Sequence, residues 1–222
     1  MPSEQQRNKT RAAAKAARSP RRRTGAQFAR RQAEVAEKAA ELFATRGYDA
    51  TSIGDIADEV GLLKGSLYYY APSKEELLYS IIREVEDAGV QMVAEQDGFD
   101  DDPLTRLRAF IARSVKFVVL NRAKTTVAMR DFRSLGPDHQ AELSPARNAS
   151  WRFIRVLIME AQQSKLVQPH VDPTVATMAI IGAINHLPTW YENGRPPSLN
   201  RVAEGFANHL VDGLGHMNKP TS

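Results

Sequence analysis

From Gln27 onward the apolar positions fall at helical spacing. Phe28, Val35, Ala39, Leu42 and Phe43 recur at intervals of three, four and seven, which places them on one helix face. Arg46-Gly47-Tyr48 ends this helix, with the glycine supplying the C-terminal turn. Ser52 then offers an N-cap hydroxyl, with Asp55 three residues on in capping-box spacing, so a short helix is predicted over 53–60 that buries Ile53, Ile56, Ala57 and Val60. Gly61 breaks it, and another short helix is predicted over 64–70. Ala71-Pro72-Ser73 ends that segment, and Ser73 with Glu76 forms a second capping box for a longer helix to about Glu95.

The remainder continues as helices between clear punctuation. Asp102 caps and Pro103 opens a helix to about Asn121, with Leu104, Leu107, Phe110, Ile111, Val115 and Val118 facing inward. Further helices are predicted over 124–134, from Gly136-Pro137 to about Lys165 with a kink at Ser144-Pro145, over 173–192, and from the Ser198 cap to about Gly213. There is no alternating strand pattern of useful length. The expected fold class is therefore all-α, with about nine helices. The punctuation predicts three segments: an arm over 1–26, an N-terminal helical domain over 27–76 with a motif of two short helices over about 52–71, and a larger helical domain over 77–222.

Charge changes this picture at one end only. Residues 1–31 carry ten Lys/Arg against the single acid Glu4, whereas the other 191 residues carry 20 bases against 25 acids. A basic arm on an acidic body points to a polyanionic partner there, with DNA, RNA and anionic lipid all open on charge alone. Residues 1–26 have almost no large apolar side chains and are expected to be disordered, with Arg21, Arg22 and Arg23 placed to reach a DNA groove. A mitochondrial transit peptide shares that composition, but the segment that follows speaks against it. No cysteine is present, which excludes disulfides and thiolate chemistry. No apolar run is long enough to span a membrane and no secretory signal is visible, so a cytoplasmic protein without a membrane partner is expected.

Residues 51–74, TSIGDIADEVGLLKGSLYYYAPSK, set two short helices around Gly61-Leu62-Leu63, the arrangement of a helix-turn-helix. The second helix would read DNA, exposing Lys64, Ser66, Tyr68 and Tyr69 while Leu67 packs inward. Gly65 leaves room for a sugar-phosphate strand, and tyrosine hydroxyls or ring edges suit phosphates or thymine methyls. Lys74 and Ser52 are placed for further backbone phosphates. Tyr70 reads better as core or rim. Gly47 through Leu78, G-Y-D-A-T-S-I-G-D-I-A-D-E-V-G-L-L-K-G-S-L-Y-Y-Y-A-P-S-K-E-E-L-L, resembles the N-terminal signature of TetR-family regulators. That resemblance implies a three-helix DNA-binding domain, a larger helical ligand-binding domain, and a homodimer on a palindromic double-stranded operator, with Ser52, Lys64, Gly65, Ser66, Tyr68, Tyr69 and Lys74 on DNA-contacting positions. Two departures stand out. Leu63 occupies a place where many members cap with Ser, and Ala71 replaces a frequent Phe, which should loosen packing between the domains.

The C-terminal half is less specific. The recognition segment, together with Thr189-Trp190-Tyr191 and the Gly/Pro loop at 193–197, is similar to TetR-type regulators of lipid and steroid breakdown, whose effectors are acyl-CoA thioesters. A small hydrophobic or acyl-CoA-like effector is the partner this implies. Phe110, Phe117, Met129, Phe132, Trp151, Phe153, Ile154, Met159 and Trp190 could line its pocket or be ordinary core. Arg130 with Arg133, and Arg152 with Arg155, pair at helical spacing; each face could hold phosphates or a carboxylate, though the commoner use of such faces is solvated ion pairing, here to Glu142, Asp131 or Glu160. The last two helices, through Met178, Ile181, Ile184, Leu187, Val202, Phe206, Leu210 and Leu214, would form the dimer interface that the resemblance implies. The five histidines show no zinc spacing and no catalytic pairing, and Gly213-Leu214-Gly215 lacks the strand and third glycine of a dinucleotide loop. No enzyme, cofactor or metal is expected. The competing reading is a nonspecific nucleic-acid coater that uses the arm alone.

Overall fold

The computed structural model describes residues 20–96, 102–194 and 196–215, and among these every regular element is helical. Helix α1 spans Pro20–Arg46, α2 Ile53–Glu59, α3 Lys64–Leu67 and α4 Lys74–Ala94. Then come α5 Pro103–Leu120, α6 Arg122–Arg130, a 3-10 turn Phe132–Ser134, α7 Pro137–Arg147 and α8 Ala149–Gln163. Helix α9 covers Pro173–His186, a 3-10 turn covers Leu187–Thr189, and α10 covers Leu199–Asp212.

Each expected helix is present, with several boundaries moved; the one expected over 124–134 spans Arg122–Arg130 and gives way to the 3-10 turn. Helix α1 begins at Pro20 rather than Gln27, so 20–26 extend a helix instead of belonging to a disordered arm; Pro suits a first helical position and the alanines that follow favour continuation. Residues 1–19 lie outside the described residues. The recognition helix closes after one turn at Leu67, with Tyr68–Tyr70 in turn conformation. The segment 137–165 divides at Asn148 instead of kinking at Pro145, which is accommodated within α7. Helix α9 stops at His186 because Pro188 cannot continue it.

Two cores organise these helices. One joins α4's C-terminal end to α5, α8, α9 and α10 around Leu107, Phe110, Ile111, Ile158 and Ile180, and α10 lies along α5 with Arg108 hydrogen bonded to Asp212 at 2.6 Å. The other gathers α1–α3 and the first half of α4 around Phe43, Ile56, Leu67 and Leu78, and it also takes in Val127 and Ala128 of α6, Leu135, and Leu143 of α7. The second core thus runs past residue 76. Polar ties reinforce this: Lys124 of α6 bridges Glu37 of α1 at 2.9 Å and Glu84 of α4 at 2.7 Å, and Arg130 donates to the Phe43 and Ala44 carbonyls that end α1. Ala71 is buried in this core, and beside it Ala33, Ala36 and Tyr70 edge a groove between α1 and α4, the space that a larger side chain would fill.

Candidate nucleic-acid interface and internal cavity

Helices α2 and α3 form a helix-turn-helix whose turn depends on Gly61, held at φ +66°. The Leu62 amide donates to the Ala57 carbonyl at 2.8 Å and Arg31 of α1 donates to the Val60 carbonyl at 2.6 Å, so the carbonyls at the end of α2 are satisfied. Ser52 caps α2 in a complete capping box: its hydroxyl accepts from the Asp55 amide at 3.1 Å, and Asp55 accepts from the Ser52 amide at 2.7 Å. The Ser52 hydroxyl and amide beside Asp55 hold its carboxyl below the usual range.

On α3, Leu67 is fully buried and anchors the helix, which leaves Lys64, Gly65, Ser66, Tyr68 and Tyr69 outward. Tyr68 is 47% exposed and Tyr69 73% exposed. The two differ in what holds them. Tyr69 meets Phe28 edge-on at 5.1 Å and Tyr70 at 5.4 Å, while Phe28 stacks on Tyr70 at 5.4 Å, so the far end of the recognition segment is pinned to α1 by an aromatic trio. Phe28 was visible in the sequence only as the first member of α1's apolar stripe. Leu63, at the N-cap of α3, makes no side-chain cap and is 81% exposed.

Lys74 is placed differently from the expectation of a freely offered phosphate ligand. Its ammonium donates to the Tyr48 and Thr51 carbonyls at 3.0 Å each and sits 4.2 Å from the centre of the Tyr48 ring, tying the start of α4 to the loop before α2. Burial raises the Tyr48 hydroxyl's pKa. Arg21, Arg22 and Arg23 fall on the first turn of α1, and their side chains lie outside the described residues.

Helix α4 leads from this face to a cavity of about 280 Å³ within the other half of the molecule. Val85, Glu86, Gly89 and Met92 of α4 form one wall; Phe110, Phe117 and Val118 of α5, Met129 of α6, Trp151 of α8, and Ile181 and Ile184 of α9 make the rest largely apolar, with Ser114, Thr125, Asn148, Ser150 and Asn185 as polar points among them. Of the candidate ligand residues, Phe110, Phe117, Met129 and Trp151 line it. Arg130, Phe132, Arg133, Arg155 and Trp190 do not. Arg130 is spent on α1's last carbonyls and Asp131. Phe132 packs against the DNA-side core, and Arg133 is exposed in the 3-10 turn. Arg155 lies over Trp151 at 5.8 Å and reaches Thr174. Trp190 stands 55% exposed beside Phe206 on a separate apolar groove between α9 and α10. No local pattern marks the cavity's charged pair: Arg147 at the end of α7 meets Glu86 at 2.7 Å across 61 residues of chain, and burial pushes the Glu86 carboxyl's pKa up.

Comparison with known proteins agrees with this two-part architecture. Residues 36–81 match bacterial regulatory proteins of the tetR family, and residues 100–214 match the tetracyclin repressor-like C-terminal domain. The HTH-type transcriptional repressor KstR2 of Mycolicibacterium smegmatis is 26% identical over 192 residues, which cover 86% of this chain and 94% of that protein. The solved structure of the ketosteroid transcriptional regulator KstR2 of Mycobacterium tuberculosis superposes with a TM-score of 0.78 at 23% identity, covering 84% of this chain and 95% of that one. AibR, solved in complex with isovaleryl coenzyme A and operator DNA, superposes with a TM-score of 0.73 at 24% identity over 82% of this chain and 98% of its own. With both halves matched in order along one chain, the protein belongs to the TetR family and is a helix-turn-helix, DNA-binding transcriptional regulator rather than an enzyme.

Proposed function

We propose that the chain is a homodimeric, cytoplasmic repressor that binds a palindromic operator and is released by an acyl-CoA-type effector. The observation that carries this reading is helix α4. Its 21 residues, about 30 Å at helical rise, begin beside the recognition helix and form a wall of the cavity farther along. Ser52, Lys64, Gly65, Ser66, Tyr68 and Tyr69 present a contiguous donor and aromatic face to DNA, and the basic arm with Arg21, Arg22 and Arg23 adds sequence-independent phosphate attraction. Lys74 contributes mainly by fixing α4 against the DNA-side loop. Two such faces related by a dimer axis would enter successive major grooves about 34 Å apart. An effector that prefers the other setting of α4 shifts the population away from the DNA-binding spacing.

The dimer surface proposed is the exposed side of α9 with the adjoining groove along α10. Val175 and Met178 are 62% and 64% exposed on α9 and Trp190 is exposed on the groove, whereas Ile184, Leu187, Val202 and Leu214 belong to the chain's own core. The effector class rests on three supports: a largely apolar cavity just below the about 300–1,000 Å³ usual for ligand sites, a neighbour named as a ketosteroid transcriptional regulator, and a shared fold that holds isovaleryl coenzyme A in AibR. The acyl group would occupy the cavity.

Footprinting across the promoter of the protein's own gene and its neighbours tests the reading. A protected palindrome, released by one of a series of acyl-CoA thioesters and bound about tenfold more weakly by Tyr68→Ala, a difference of about 1.4 kcal/mol, is the expected result. Diffuse, salt-sensitive protection indifferent to Tyr68→Ala would overturn it in favour of a nonspecific coater.

A further inference from the structure

Arg147 does more than neutralise Glu86. From the last position of α7 its guanidinium bonds Glu86 of α4 at 2.7 Å, donates to the Ala128 carbonyl of α6 at 3.1 Å, and lies 4.4 Å from the centre of the Phe132 ring. Phe132 in turn packs against the core that carries the recognition helix. One side chain thus clamps three elements, two of which belong to the DNA-side core, while its own edge forms part of the cavity wall. The carboxylate it holds is mostly withdrawn from water, with 12% of the Glu86 side chain exposed. Burial favours the neutral form of that carboxyl, against the pull of Arg147 toward the charged one.

We propose that Arg147 is the effector's polar contact, donating to a neutral carbonyl oxygen of an acyl thioester, and that drawing the guanidinium away from Glu86 is what moves α4. The inference rests on the reading of the cavity as the effector site. Its chemical class follows from the charges present. Among the described residues lining the cavity, the charged side chains are Glu86 and Arg147, which cancel. A ligand carboxylate would set a second negative charge beside Glu86 in a poorly hydrated place, whereas a carbonyl accepts from Arg147 without adding charge. The apolar shell of Phe110, Phe117 and Trp151 then takes the hydrocarbon part.

The test uses full-length protein, operator DNA, a series of acyl-CoA thioesters and the matching free acids. Glu86→Gln, nearly isosteric, weakens the clamp without ligand. We expect it to lower ligand-free operator affinity roughly five- to tenfold and to raise thioester affinity by a similar factor, because coupling between two sites is reciprocal. Arg147→Lys keeps the charge but loses the forked donor, and should weaken thioester binding about tenfold. Free acids should bind more weakly than their thioesters to the parent protein. Operator affinity unchanged in Glu86→Gln overturns the proposal, as does parental thioester affinity in Arg147→Lys. A structural defect would lower both affinities of Glu86→Gln together, and that outcome also overturns it. If the parent binds no thioester, the effector assignment falls separately, and the ligand-free comparison still decides whether the clamp sets α4.

Discussion

At the scale of single residues, the DNA-side half is built from side chains whose hydrogen bonds go to backbone ends. Ser52 and Asp55 close the start of α2, Arg31 closes its end, and Lys74 collects two loop carbonyls. Leu63 is the exception, since it stands at the N-cap of α3 with φ −67° and ψ 141° and offers no acceptor to the free amides of that turn. The backbone is already in the extended geometry that a capping serine uses. Leu63→Ser is therefore expected to stabilise the protein by about 1 kcal/mol, seen as a rise in Tm of about 2–4 °C for a chain of this size. A Tm at or below the parent's would show that the exposed leucine already contributes more than a cap would.

At the scale of elements, the sequence made the helices and the recognition motif readable because their signals are local: Ser-x-x-Asp and Ser-x-x-Glu caps, Gly61, and apolar positions three and four apart. What it hid depends on partners distant in sequence. Arg130 and Arg133 read as a shared ligand face by spacing, yet α6 stops at Arg130, so the two never share a helix. Arg147 and Glu86 carry no local mark at all. Tyr69 looked as free as Tyr68, and only the fold brings Phe28 against it. The capping box also makes α2 sensitive to acid. The Asp55 pKa is lowered in the folded state, chiefly by the Ser52 hydroxyl, so its contribution is complete above the unfolded value of about 3.9 and is lost as pH falls through the lower folded value. Chemical-denaturation curves measured from pH 6 downward should show a shallower acid decline in Asp55→Asn than in the parent. An identical decline would place the acid sensitivity in other carboxylates, with Glu75 the next candidate, its carboxyl lowered by the Gly136 amide and by His139.

At the scale of the whole molecule, charge and packing divide the work of binding. On the proposed reading, the arm supplies long-range attraction and the recognition face supplies register. Because α1 begins at Pro20, the arm can be removed without shortening that helix by deleting residues 1–19, which takes away five Lys/Arg and one acid. Affinity for any DNA should fall and the dependence of log affinity on log salt should flatten, since fewer counterions are released; filter binding at several salt concentrations on operator and random DNA measures both. A slope equal to the parent's would mean that the arm does not touch the phosphates. The stitching of α6 and α7 into the DNA-side core has a different consequence. Lys124, Arg130, Val127 and Leu143 belong to the recognition half as much as to the effector half. A hybrid made by grafting residues 20–76 onto another effector body would lose the Lys124 and Arg130 contacts to α1 and the part of its core that Val127 and Leu143 supply. On the proposed reading, a working hybrid should therefore need residues 122–147 to travel with the head, so that operator preference and effector response would pass together as one unit.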